Sequence, residues 1–313
     1  MFAGLTERDF DAYQPQKWRS NTFNLERIAV REKLSLLGRA AGALIGSDGQ
    51  PLMVELSAEH PALWNHRQVD CQQVFLSRGT EARRQLDTFI DRGRSMASLL
   101  EDPSPQRSHI FLFAGIWLEH VRIGLRLHAD ARVDRENFEK QVADRWEAQT
   151  FVEQVRGLPP DLTIGVDGGP SLPASSCEDS TIPALVTALA APRAPSEPRW
   201  FSISPRLDRA AAIAAGPHLA ATVHEILIAL MPAYQFIAWT PDNDHISMRD
   251  QLRERTALIK RRGLARQDKV RVVGGMFAGR AGTVVDIDAR GMLKVLLGSV
   301  PLKLRADEVE KDP

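Results

Sequence analysis

The segment His120-Val-Arg-Ile-Gly-Leu-Arg-Leu-His128 places side chains capable of chemistry at alternate positions. Along an extended strand successive side chains point to opposite faces. Val121, Ile123, Leu125 and Leu127 then share one face, and His120, Arg122, Gly124, Arg126 and His128 share the other. Two guanidinium groups flanking a glycine make a basic stripe that a ligand can approach closely. Phosphate oxygens suit it, because guanidinium donates paired hydrogen bonds to them. The plainer reading is a sheet with its polar face in water. Five histidines, His60, His66, His109, His120 and His128, fall within one stretch and admit a metal or general-base site. No two of them stand at a recognised ligand spacing, so scatter over loops and strand ends competes with that reading.

Other chemistries lack their signatures. Glu55, Asp70 and Glu119 lie in strand-like segments with no nuclease pattern after them. Gly165-Val-Asp-Gly-Gly169 lacks dinucleotide-binding spacing, and no Walker loop or Gly-x-Ser-x-Gly elbow occurs. No catalytic residue, metal or cofactor is expected. Trp64, Trp117, Trp146, Trp200 and Trp239 read as core or interface residues.

The C-terminal stretch from Asp268 to Val309 has a different grammar. Val270 and Val272 alternate with Lys269 and Arg271, a half-buried strand pattern. Gly274, Gly275, Gly279 and Gly282 then crowd a turn region. Thr283–Ile287 is a second strand, Arg290-Gly291 a hairpin turn, and Leu293–Leu297 a third strand. Pro301 makes a break, Leu302-Lys303-Leu304 is the fourth strand, and Asp307–Val309 is a closing turn. Strands this short hide their apolar faces by curling into a small barrel.

The turn Gly275-Met-Phe-Ala-Gly279-Arg-Ala-Gly282-Thr-Val284, with the Ile287-Asp288 turn and the Leu293-Lys294-Val295 strand, resembles the KOW motif. The resemblance implies an SH3-like barrel of the kind found in NusG-type elongation factors and ribosomal proteins. It also implies contact with RNA, a ribosomal protein or an RNA polymerase-associated factor. The chain departs from NusG proteins in two ways. Leu297-Gly-Ser-Val-Pro301 is short and lacks the aromatic-Gly-Arg element, and the N-terminal half does not resemble the domain that precedes KOW there. Under this reading the contact residues are Lys269, Arg271, Phe277, Arg280, Lys294 and Lys303, supported by Arg253, Lys260, Arg261 and Arg262.

Charge distribution agrees with a polyanion-facing tail. The chain of 313 residues is neutral overall, yet Arg249–Pro313 holds 15 Lys and Arg against 9 Asp and Glu. A solvated basic helix face is the competing account. Cys71 and Cys177 have no CxxC partner, as in a reducing cytosol. The charged N-terminus lacks a signal-peptide core, and no apolar run reads as a membrane span, so a cytoplasmic protein is expected.

The elements that must position these residues follow from periodicity. Asn21 or Asn24 caps a helix to about Leu44, with Leu25, Ile28, Leu36, Leu37, Ala40 and Leu44 near one face. Strands are predicted over 51–57, 68–78, 109–118, 120–128, 162–166, 200–203 and 234–239. Helices are predicted over 80–100, 135–156 capped by Asp134, 182–191, 207–231 bent at Gly216-Pro217, and 245–262. Ser204-Pro205 reads as the start of the 207–231 helix. The expected fold is α+β, a mixed or antiparallel sheet with packed helices plus the barrel. The expected domains are a body over 1–245, with a possible subdivision near 168–198, a basic connecting helix over 246–263, and the barrel over 264–313. The function expected is a non-enzymatic RNA- or machinery-binding protein. Its rivals are an enzyme or small-ligand binder with its site in the body, and a protein–protein adaptor using a barrel edge. Oligomeric state is left open.

Overall fold

The computed structural model describes residues 2–46, 52–62, 65, 67–87, 105–191, 199–247, 257–273, 277–287, 292–298 and 300–312. The fold is α+β, with two antiparallel sheets. The chain divides into two compact units: residues 1–83 with 95–245, and residues 84–94 with 246–313.

The sheet of the first unit has the strands β1 (Leu52–Leu56), β2 (Cys71–Arg78), β3 (Phe111–Trp117), β4 (His120–His128), β5 (Thr163–Val166), β6 (Ser171–Pro173), β7 (Trp200–Ser204) and β8 (Arg206–Asp208). Their order is β1-β2-β3-β4-β7-β5-β6, and β8 continues β7's pairing along β4. Register explains the core. Leu76, Leu112, Leu125, Ile203 and Ile164 are successive cross-strand partners, and all are buried. This row lies on the face that Val121, Ile123 and Leu127 share, as the alternation predicts.

Helices pack on that face; among the described residues the helices given a full range are α1 (Glu7–Asp11), α2 (Asn24–Gly46), α3 (Thr80–Asp87), α4 (Arg132–Val142), α5 (Arg145–Arg156), α6 (Thr181–Ala190), α7 (Arg209–Ala215), α8 (Leu219–Ala229) and α9 (Met231–Ile237). Against β1, β2 and β3, α2 buries Val30, Leu34, Leu37, Ala41 and Ile45. The stripe expected from sequence is therefore rotated. Leu37 is buried, but Leu25 is 79% exposed, and Ile28, Leu36, Ala40 and Leu44 also face outward. The aromatic rings of Phe138, Phe151, Phe201 and Phe236 join α4, α5, α9 and β7.

Several boundaries differ from the sequence expectation. Tyr234–Trp239 is not a strand: Tyr234–Ile237 closes α9, whose first turn carries Pro232. The 135–156 helix is two helices, the second capped by Asp144, which accepts from the backbone of Trp146 and Glu147. Ser204-Pro205 does not start a helix; β8 intervenes, and Asp208 caps α7 by accepting from Ala211 N. By length and composition Arg209–Ile237 is apolar enough to cross a membrane, with mean hydropathy 1.4. That is a correction to the reading of apolar runs. The run is interrupted at Gly216 (φ +52) and Pro217, and its Leu219, Val223, Leu227 and Leu230 lie in the core. Residues 88–100, Trp64, His66 and the loops 101–104 and 192–198 lie outside the described residues.

Asp134 is not an N-cap. It lies in the first turn of α4, fully buried, and receives Arg78 Nη2 at 2.5 Å, Ile110 N at 2.9 Å and Trp239 N at 2.9 Å. Burial opposes the charge on Arg78, and Asp134 together with Tyr234 outweighs that opposition, so the guanidinium is held above its usual range. Removing one partner of a buried pair leaves the other uncompensated. Asp134→Ala is expected to cost about 3–5 kcal/mol in urea unfolding of the full chain. A loss under ~1 kcal/mol would show that the network carries little.

The second unit contains β9 (Lys269–Val272), β10 (Ala281–Ile287), β11 (Met292–Leu297), β12 (Val300–Arg305) and β13 (Val309–Lys311) in the order β12-β11-β10-β9-β13. It is a small five-stranded antiparallel module where a closed barrel was expected: its ladder does not close, and β12 and β13 are the two edges. Val270, Val284, Leu293, Val295 and Val309 fill its interior with Ile259 and Leu264. Gly282 lets β10 and β11 close up: a Cβ there would sit 2.8 Å from Leu296 O and 2.4 Å from Leu297 Cδ2. Pro301 does not break the chain; it pairs with Leu296 on edge strand β12, where a missing N–H is tolerated.

Candidate functional sites

On the outward face of the five-stranded sheet, register collects cations. Lys294 lies between Asp286 of β10 and Lys303 of β12. Lys269 faces Thr283, which also faces Leu296. Lys269, Arg271, Arg280, Lys294 and Lys303 are all exposed. Arg271 pairs with Asp312 at 3.1 Å, and Asp286 with Arg266. Among the described residues, no carboxylate comes within 4.0 Å of Lys269, Arg280, Lys294 or Lys303. Lys294 directly opposite Lys303 is an unfavourable arrangement by itself.

Phe277 is 38% exposed at the turn before β10, where Gly279 adopts φ +82 and its N–H donates to Val272 O at 2.7 Å. Lys260 and Arg261 are exposed on the helical turn 257–261. Arg262 has a different employment: Nη1 donates to Ala306 O at 2.9 Å and Val309 O at 2.7 Å, tying that turn to the last strand. Arg253, with residues 248–256 of the expected connecting helix, lies outside the described residues.

In the first unit the histidine–arginine stripe lies opposite the core face, as the alternation requires. It is neither a bare wet surface nor a set of equivalent groups. Arg126 sits over two aromatic rings, 5.4 Å from the Phe113 centroid and 5.1 Å from that of Trp200. Its side chain is 12% exposed, with Asp167 Oδ2 at 3.7 Å. Arg122 Nη2 donates to Ser204 Oγ at 3.2 Å, and Arg206 of β8 is its cross-strand neighbour. His120 stacks on Trp117 at 5.2 Å. His128 lies at the far end, edge-on to Trp200 at 4.5 Å, and its Nδ1 accepts from Asp130 N at 3.1 Å.

Burial and then the Arg122 charge push Arg126 down to about 10, with Asp167 acting in the opposite sense. Burial also lowers Arg122, Asp167 opposes that, and Arg206 adds to it. Sequence reasoning missed Arg206, Ser204 and Asp167. Ser204 and Arg206 reach this face because β7 runs on into β8 along β4, where a helix start was expected, and Asp167 reaches it from the turn after β5. Among the described residues no group of three or more His, Cys, Asp or Glu is placed to hold a metal ion.

A scan against protein-family models finds no match, and a search of curated proteins finds none.

His120 offers a direct check on this electrostatic picture. Burial first, then Arg206 and Arg122, lower it from 6.5 to about 4. The unfolded imidazole therefore binds a proton over a pH range where the folded one does not. Its contribution to stability is present above 6.5 and is lost as pH falls toward 4. The His120 resonance is expected to titrate near 4, and His120→Phe is expected to flatten the acid limb of the stability profile. A midpoint near 6.5 would contradict the arrangement.

Proposed function

We propose that the protein is a non-enzymatic binding protein that contacts RNA or the transcription or translation machinery through its C-terminal module. The observation that carries this reading is the outward face of that module. Lys269 and Lys303 stand there with no carboxylate within 4.0 Å among the described residues, and Lys294 lies between Asp286 and Lys303 across the ladder. A phosphate backbone laid over such a face relieves the like-charge cost and releases counterions. Phe277, exposed at the adjoining turn, supplies a ring on which a base stacks. The KOW resemblance of residues 268–311 points the same way. Lys260 and Arg261 extend the positive surface, and Arg262 serves to hold the module together.

Fluorescence anisotropy of the full chain with a single-stranded RNA oligomer tests this. Binding is expected to weaken steeply as salt rises, with a log–log slope of about −0.7 for each phosphate neutralised. The double variant Lys294→Ala/Lys303→Ala is expected to make that slope shallower by about 1.4. Absence of binding at about 50 mM salt, or an unchanged slope in the variant, would remove the RNA reading.

A further inference from the structure

The buried arginines of the first unit divide into two groups. Arg27 donates to Lys17 O at 2.5 Å, to Ser20 O at 3.2 Å, to Glu59 O at 3.3 Å and to Asn24 Oδ1 at 3.2 Å. Arg78 has Asp134, and Arg199 donates to Ala188 O at 2.8 Å and Leu189 O at 3.2 Å. Arg126 is the exception. The Nε of Arg27 and Arg78 is buried without a partner as it is in Arg126, but among the described residues nothing accepts a hydrogen bond from any nitrogen of Arg126. A guanidinium has five N–H donors and no way to discharge in water. Leaving such a group dry and unsatisfied is costly, and an orphaned buried polar group calls for an acceptor, often an ion.

The surroundings say which acceptor. Arg122 and Arg206 are cross-strand partners on the same face, a like-charge pair that a sheet disfavours. Arg122 makes one hydrogen bond, to Ser204, and Arg206 is exposed. Against the three guanidinium charges stand the carboxylates of Asp167, 3.7 Å from Arg126, and of Asp208, which shares the face of Arg206 on β8 and is engaged in capping α7. The positive charge left over suits an anion with several acceptor oxygens better than a single carboxylate. A phosphomonoester carries about −1.5 to −2 at neutral pH and presents three acceptor oxygens. Planar forks such as Arg122 and Arg126 suit those oxygens.

We infer that the outer face of the main sheet carries a binding site for a phosphate group, either free or borne by a small molecule, formed by Arg126, Arg122 and Arg206 with Ser204. Phe113 and Trp200 hold the Arg126 guanidinium flat, which fixes the direction of its donors before the ligand arrives. Ser204 holds Arg122 in the same way. Asp167 keeps the arginines from repelling one another fully in the empty state. This site is independent of the nucleic-acid reading of the C-terminal module.

Isothermal titration of the full chain at fixed ionic strength tests it, with inorganic phosphate in one arm and glycerol 3-phosphate in the other. Saturable binding with a dissociation constant at or below about 1 mM is expected in at least one arm. The tighter arm identifies whether the group comes free or esterified. Arg126→Met keeps the stem over Phe113 and Trp200 and removes the donors; it is expected to abolish binding. Arg206→Ala changes an exposed residue, so the fold stands, and it is expected to weaken binding at least about tenfold. Lys294→Ala/Lys303→Ala is expected to leave phosphate binding unchanged, which separates this site from the C-terminal face. No saturable binding in either arm, wild-type affinity in Arg206→Ala, or wild-type affinity in a folded Arg126→Met would overturn the proposal.

Discussion

One buried carboxylate ties the larger unit together. Asp134 accepts from the β2 side chain of Arg78, from the backbone at the entrance to β3, and from the backbone just beyond α9. Four parts of the chain distant in sequence meet at its two oxygens. Because α4 carries that residue in its first turn, the helix layer and the sheet are set against each other at this point. The inner face of the sheet is then committed to the core, row by row, through Leu76, Leu112, Leu125, Ile203 and Ile164. Period-two alternation does the rest: what the inner face excludes must appear on the outer one. Arg122 and Arg126 are on the outer face because Ile123, Leu125 and Leu127 are on the inner.

That constraint explains which parts of the molecule were legible in the sequence. The faces of 120–128 could be read outright, since the alternation is strict and both outcomes are fixed by parity. The small C-terminal sheet was legible for the same reason, helped by glycines at turns and by Gly282, whose missing side chain lets two strands approach. The face of α2 was not. Its sequence supports two apolar stripes, one through Leu25, Ile28, Leu36 and Leu44 and one through Val30, Leu34, Leu37, Ala41 and Ile45, and only packing on β1 and β2 selects the second. Tyr234-Gln-Phe-Ile-Ala-Trp239 is strand-like in composition, yet it closes or follows a helix that buries Tyr234, Phe236 and Ile237 in the core. Asp134 looked like a cap because Asp commonly is one; nothing local announces a carboxylate that serves three distant donors.

The candidate sites show the same division. Residue types and strand parity located Arg122, Arg126, Lys294 and Lys303. Partners contributed by distant strands were invisible: Arg206 and Ser204 arrive through β8 and β7, and Asp167 through the turn after β5. Neither did the sequence separate working cations from structural ones. Arg262 looks like its neighbours Lys260 and Arg261, but its guanidinium is taken up by two backbone carbonyls. The two basic surfaces also differ in kind. On the C-terminal face exposed lysines stand over a thin β-sheet, suited to tracking an extended polyanion. On the main sheet, stacked and buried arginines with unused donors suit a compact one.

Hydrogen–deuterium exchange of the full chain with and without single-stranded RNA tests the central claim, that the C-terminal module is the contact surface, most directly. The account predicts added protection in Lys269–Val272, Met292–Leu297 and Val300–Arg305, while the amides of β2, β3 and β4 exchange as they do in the free protein. Protection confined to the main sheet, or none anywhere under conditions where the chain is folded, would contradict it.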